Sequence, residues 1–122
     1  MNKRVYLIVD DEAGIRTYLR AILKSRDIES LEAGNAAQVL QTLRKSSEHI
    51  RLVITDIDMP GEMNGVDLAY AVRQSHPAIP VLLISGGPGD KVPVSFPYVS
   101  KPFRPATILD AAEALTNSRS SA

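Results

Sequence analysis

Short, wholly apolar runs alternate along this chain with longer amphipathic segments, and that alternation narrows the fold more than any other feature. Val5-Tyr6-Leu7-Ile8-Val9 is continuously apolar and rich in β-branched residues. Such a run suits a strand buried on both faces rather than one with a wet side. Leu52-Val53-Ile54 repeats the pattern, and Ile79 to Ile84 comes close to it. Ile28 to Ala33 alternates only weakly and reads as a strand nearer an edge, while Phe96 to Ser100 can supply a short fifth strand. Between these runs the apolar residues fall at helical spacing: Ile15, Leu19, Ile22 and Leu23; Val39, Leu40 and Leu43; Leu68, Ala69 and Val72; and Ile108, Leu109, Ala112 and Leu115 after Pro105. Proline is accepted in a first helical turn, so Pro105 marks the start of the last helix. Strand–helix alternation with buried strands predicts an α/β domain, a parallel sheet with helices on both faces.

Composition bounds what such a domain does. The 122 residues amount to one domain, with no repeat or linker; residues 1–117 are expected to form it and 118–122 a frayed polar tail. Lys plus Arg is 14 and Asp plus Glu is 14, for a net charge of +0. A domain that grips phosphate backbones carries a basic excess, so direct nucleic-acid binding is not expected. There is no cysteine, which excludes disulfides, thiolate metal sites and a thiol nucleophile together. No apolar run approaches a membrane span or a signal-peptide core, so a cytoplasmic location is expected.

In open parallel sheets the functional crevice lies beyond the carboxyl ends of the strands. The first expected strand ends at Asp10 and Asp11, the third at Asp56, the fourth at Ser85 and the fifth at Lys101; the second ends at Ala33-Gly34 and adds nothing polar. Carboxylates converging on one edge repel, and a hard divalent ion with oxygen ligands resolves that conflict; Mg²⁺ is the usual choice where phosphate is present. Lys101 and Ser85 suit a phosphoryl group, which places a carboxylate nucleophile at the centre of a phosphate site. Phosphoryl transfer depends mostly on positioning and charge neutralisation, so a set this sparse suffices.

The combination of Val9-Asp10-Asp11-Glu12, Thr55-Asp56-Ile57-Asp58-Met59-Pro60-Gly61, Asn64-Gly65, Ser85-Gly86 and Lys101-Pro102-Phe103 resembles the receiver domain of two-component response regulators, in order, from Val5 to about Leu115. The resemblance implies a flavodoxin-like, doubly wound, five-stranded parallel sheet in the order 2-1-3-4-5. It implies that Asp56 accepts a phosphoryl group from the phosphohistidine of a histidine kinase or phosphotransfer protein. Asp10, Asp11 and Asp56 would hold Mg²⁺ together with the backbone carbonyl of Asp58. Ser85 and Lys101 would contact the phosphoryl oxygens, Tyr98 stands at the switch aromatic position, and the bond before Pro102 is expected to be cis. A downstream protein target of unknown identity is implied, and a homodimer is compatible with the family. The domain would be a signalling module that catalyses only its own phosphorylation and dephosphorylation, not an enzyme.

Two features depart from the common pattern. The loop from Asp56 to Gly65 is one residue longer than usual, a variant resembling receivers attached to hybrid sensor kinases. Ser85 and Lys101 stand closer together than in typical members, and the shortfall falls where a fourth helix belongs. Gly86, Gly87, Pro88, Gly89, Pro93 and Pro97 occupy that stretch, so the fourth helix is expected to be shortened or absent, with at most one turn around Asp90-Lys91-Val92. A partner surface is expected beside Phe96 and Tyr98. His49 and His76 have no ligating companion and no expected role. Two other readings stay open: a haloacid-dehalogenase-like phosphatase, whose motif pairs two aspartates as Asp56-Ile57-Asp58 does, and a non-phosphorylated scaffold of the same fold. Turnover separates the first from a receiver, because a phosphatase releases phosphate and a receiver retains it.

Overall fold

A computed structural model describes residues 5–87 and 92–120, the side chains of 118–120 excepted. The elements are β1 (Val5–Val9), α1 (Ala13–Lys24), β2 (Glu29–Ala33), α2 (Ala36–Ser46), a single 3₁₀ turn (Ser47–His49), β3 (Ile50–Asp56), α3 (Gly65–Ser75), β4 (Val81–Ser85), β5 (Tyr98–Ser100) and α4 (Pro105–Ser120). All five strands are parallel and form one sheet in the order β2-β1-β3-β4-β5, as expected for the doubly wound fold.

Successive side chains of a strand point to opposite faces, and the core divides accordingly. Leu7, Val9, Val53 and Leu83 meet α2 and α3 through Val39, Leu43, Leu68 and Val72. Tyr6, Ile8, Leu52, Ile54, Leu82 and Ile84 meet α1 and α4 through Leu19, Leu23, Ile108 and Ala112. Packing decides where the helices form. Glu12 caps α1 without a side-chain bond, yet the helix buries Leu19, Ile22 and Leu23. A missing cap costs about 1 kcal/mol, whereas each buried aliphatic side chain contributes roughly 1.5–3 kcal/mol.

Strand ends shift slightly from the sequence reading, and proline is the reason. Pro80 and Pro97 have no N–H to give a ladder, but their carbonyls accept from Val53 and Leu83 at 3.1 Å each. β4 therefore begins at Val81 and β5 at Tyr98. The helix of α4 continues past Asn117 to Ser120. α3 opens on a reciprocal cap that the sequence reading overlooked: Asn64 Oδ1 accepts from the Asp67 N–H, and Asp67 Oδ2 accepts from the Asn64 N–H.

No helix lies between β4 and β5 among the described residues, in line with the Gly and Pro content of that stretch. Of the single turn expected around Asp90-Lys91-Val92, Asp90 and Lys91 lie outside the described residues; Val92 is buried and not helical. Phe96, expected to open the fifth strand, lies before it and is also buried; it joins Val92, Leu83 and the inner face of α3 in one apolar cluster. Arg73 of α3 fastens this segment. Its Nη1 and Nη2 donate to Ser95 Oγ and Ser95 O, each at 3.1 Å, and its guanidinium lies 3.7 Å above the centre of the Phe96 ring. Tyr70 meets the same ring edge-on at 5.1 Å. Irregular chain thus covers the flank that a helix would otherwise cover.

Arg73→Ala removes the hydrogen bonds and the cation–π contact, and urea unfolding should show a loss of about 1–2 kcal/mol. Gly65→Ala should be worse. A Cβ there would lie 1.9 Å from the Asp56 carbonyl oxygen and 2.6 Å from the Ile57 Cα, so strand and helix must separate. A loss of about 3 kcal/mol or more is expected in the same assay.

Candidate functional site

The carboxyl edge of the sheet gathers the polar residues that the core excludes. Asp10 follows β1 and is buried, with its N–H tied to the Ala33 carbonyl at the end of β2 (3.1 Å) and its Oδ1 accepting from the Glu12 N–H (2.9 Å). Asp11, the next residue, is exposed. Asp56 ends β3 and is 5% exposed. Its neighbour across the ladder is Ile84, and the Gly65 N–H closes the following loop on the Ile57 carbonyl at 3.0 Å. Carboxylate oxygens of Asp10, Asp11 and Asp56 all lie within 4.8 Å of one another.

Lys101 is aimed into this cluster from the end of β5. Its N–H donates to the Ser85 carbonyl (2.7 Å), and its Nζ reaches Asp56 Oδ2 at 3.2 Å and Asp10 Oδ2 at 3.9 Å. The Lys101–Pro102 peptide bond is cis. One lysine thus faces three carboxylates. Burial raises the Asp10 pKa above its ordinary value of 3.8; the Glu12 N–H works against this, the charge on Asp56 adds to it, Lys101 opposes it and Asp11 adds to it. Asp10 Oδ2 is buried and accepts no hydrogen bond. An oxygen-only donor set with an unsatisfied buried oxygen fits a hard divalent cation.

The other expected residues surround this centre. Asp58 is exposed, and its N–H donates to Asp56 Oδ1 at 3.2 Å. Ser85 is buried at the end of β4, where its hydroxyl donates to the Gly87 carbonyl (3.1 Å) and accepts from the Gly87 N–H (3.4 Å). Tyr98 pairs with Leu83 in the sheet ladder and is 45% exposed. Among these residues, Asp10, Asp11, Asp56 and Lys101 converge directly. Arg16 escaped the sequence reading. Its Nη1 donates to the Asp10 carbonyl, and only its place one turn into the helix after Asp10-Asp11 hints at that contact.

Comparison with known proteins accords with this geometry. The sequence model of the response regulator receiver domain family matches residues 6–113, and the chain belongs to that family. It is 35% identical over 104 residues, 80% of this chain, to a putative NtrX-like response regulator of Rickettsia bellii, of which it spans 21%. It is 30% identical over 109 residues, 84% of this chain, to the DNA-binding transcriptional regulator NtrC of Escherichia coli, of which it spans 23%. The chain therefore spans about a fifth of the length of these curated relatives. A sensor kinase, the autoinducer 1 sensor kinase/phosphatase LuxN of Vibrio harveyi, also matches, at 29% over 70% of the chain and 10% of its own length. Among solved structures, the receiver domain of NtrX from Brucella abortus superposes with a TM-score of 0.83 at 29% identity, covering 93% of this chain and 98% of that one. These findings do not favour the phosphatase reading. Among the described residues no helix is long and apolar enough to cross a membrane.

Asp10 generates a pH-dependent prediction. The folded chain holds this proton more tightly than the unfolded chain, so the group's contribution to stability is greatest below 3.8 and falls as pH rises through the raised folded-state value. Asp10→Asn keeps the Oδ1 acceptor for Glu12 and carries no charge. In EDTA, the variant should melt at a higher temperature than the wild type at neutral pH, with the gap closing as pH falls toward 3.8.

Proposed function

We propose that this receiver domain takes a phosphoryl group onto Asp56 from the phosphohistidine of a histidine kinase or phosphotransfer protein, with Mg²⁺ as its cofactor. The reading rests above all on one observation: the Asp56 carboxylate ends a buried strand inside a cluster of two further carboxylates, with the Lys101 ammonium 3.2 Å away. An Asp56 oxygen attacks phosphorus, the phosphorus–nitrogen bond of the donor breaks, and the departing imidazole takes up a proton, leaving an acyl phosphate on the protein. Lys101 moves from pairing with the carboxylate to pairing with the non-bridging phosphoryl oxygens. The Ser85 hydroxyl exchanges its bond to Gly87 for one to the same group. Asp10, Asp11, Asp56 and the Asp58 carbonyl would hold the metal, which would supply charge neutralisation at the transferring group.

The reaction is stoichiometric and confined to the domain itself, so the module signals rather than turning over a separate substrate. Exchange of the Ser85 contacts at the head of the segment leading to β5 gives the modified state a different surface, with the exposed Tyr98 as the switch aromatic beside it. A downstream protein reads that surface in the cytoplasm. Nucleic acid is not the direct partner, and a homodimer of the modified form fits the same scheme. The longer loop after Asp56 favours a receiver of the kinase-attached kind.

Incubation with acetyl phosphate and Mg²⁺ should add one phosphoryl group by intact mass, mapped to the Asp56 peptide. Asp56→Asn should lose the addition while retaining the fold by circular dichroism. Labelling of that variant at the wild-type rate would overturn the assignment. Many turnovers on a phosphate monoester such as p-nitrophenyl phosphate would restore the phosphatase reading, and no addition to the wild type would favour the scaffold.

A further inference from the structure

Arg16 lies one turn into α1, with its side chain 20% exposed, and it bridges two elements. Nη1 donates to the Asp10 carbonyl oxygen at 2.5 Å, and Nε donates to Glu32 Oε1 on β2 at 3.0 Å. The other oxygen of Glu32 is met by Arg20 Nη1 at 3.4 Å. A guanidinium offers its donors in a planar fork, so fixing Nε on Glu32 also fixes the direction of Nη1. Glu32 aims Arg16, and Arg16 aims the Asp10 carbonyl.

That carbonyl belongs to the peptide joining Asp10 to Asp11. The N–H of Asp10 is held by Ala33 and its Oδ1 by the Glu12 N–H. With its carbonyl on Arg16, the residue is hydrogen-bonded at every polar group except Oδ2, the buried oxygen that accepts no hydrogen bond and has only the Lys101 ammonium at 3.9 Å. The plane of the Asp10–Asp11 peptide also sets where the exposed Asp11 carboxylate begins. We propose that Arg16, locked by Glu32, is the positioning residue that presents the Asp10 and Asp11 carboxylates to the divalent cation; this rests on the Mg²⁺ reading above.

Electrostatics and positioning predict opposite signs. Arg16 is a cation beside a cation site, so by charge alone its removal tightens metal binding. As a positioning residue its removal loosens it. The test is calorimetric titration of the unphosphorylated protein with Mg²⁺. Arg16→Met, which keeps the aliphatic stem, should raise the Kd about ten- to a hundred-fold, the usual range when a group that orients metal ligands is lost. Arg16→Lys should fail to restore it, because one ammonium cannot hold Glu32 and aim at the carbonyl as a fork does. Glu32→Ala should shift the Kd in the same direction, and the double variant should be no worse than Arg16→Met. Labelling by acetyl phosphate should need more Mg²⁺ for half its maximal rate and reach the wild-type rate at saturation.

An unchanged or lower Kd for Arg16→Met overturns the inference and leaves the metal reading standing, as does full rescue by Arg16→Lys. Should Arg16→Met fail to fold, an unchanged Kd in Glu32→Ala overturns it equally. Absence of Mg²⁺ binding by the wild type overturns the metal reading, and this inference with it.

Discussion

The sheet is covered on both faces, and the other features of the domain follow from that constraint. With α1 and α4 on one face and α2 and α3 on the other, a side chain in the middle of β1, β3 or β4 meets only apolar neighbours. Charged side chains enter the interior only where strands end. The buried polar residues of the described chain, Asp10, Thr55, Asp56 and Ser85, all sit at or next to the carboxyl end of a strand. Parallel strands place those ends on the same edge, so residues far apart in the chain share one small volume. A site arises there from topology before any single residue is chosen for chemistry.

The same edge concentrates charge. Asp10, Asp11 and Asp56 stand together against one lysine, and burial makes the charged form of Asp10 costly. Gly65 lies so close to the backbone of Asp56 and Ile57 that no side chain fits between them, which brings α3 against the end of β3. On the far side, Arg16 and Glu32 tie the turn after β1 to β2. Rigidity around the carboxylates keeps like charges together and leaves a cation as the means of relieving them. An acceptor of phosphoryl groups needs that arrangement, because the reaction is governed by placement and charge rather than by elaborate covalent chemistry.

The described part of the stretch between β4 and β5 holds no helix, and side-chain packing takes its place. Leu83 and the inner face of α3 need apolar cover, and Val92 and Phe96 join them in one cluster. Irregular chain lacks the internal hydrogen bonds of a helix, so side chains supply the fastening: Arg73 binds both the hydroxyl and the carbonyl of Ser95 and lies over Phe96.

Strand runs, helical spacing, fold class and the polar residues at the strand ends were legible in the sequence, because burial on both faces leaves a pattern that neighbouring residues reveal. So was the lack of a helix after Ser85 among the described residues, since glycine and proline act locally. The fastening of that segment was not. Phe96 reads as the start of a strand until Arg73, Tyr70 and the flank of α3 are placed against it. Nor could the chain alone reveal that Glu32 meets Arg16 or that Asp10 Oδ2 is buried without a hydrogen bond, because both depend on β2 lying beside β1. Local chemistry is written in consecutive residues. Which cation meets which carboxylate, and from which side, was decided only when the sheet brought distant strand ends to one edge.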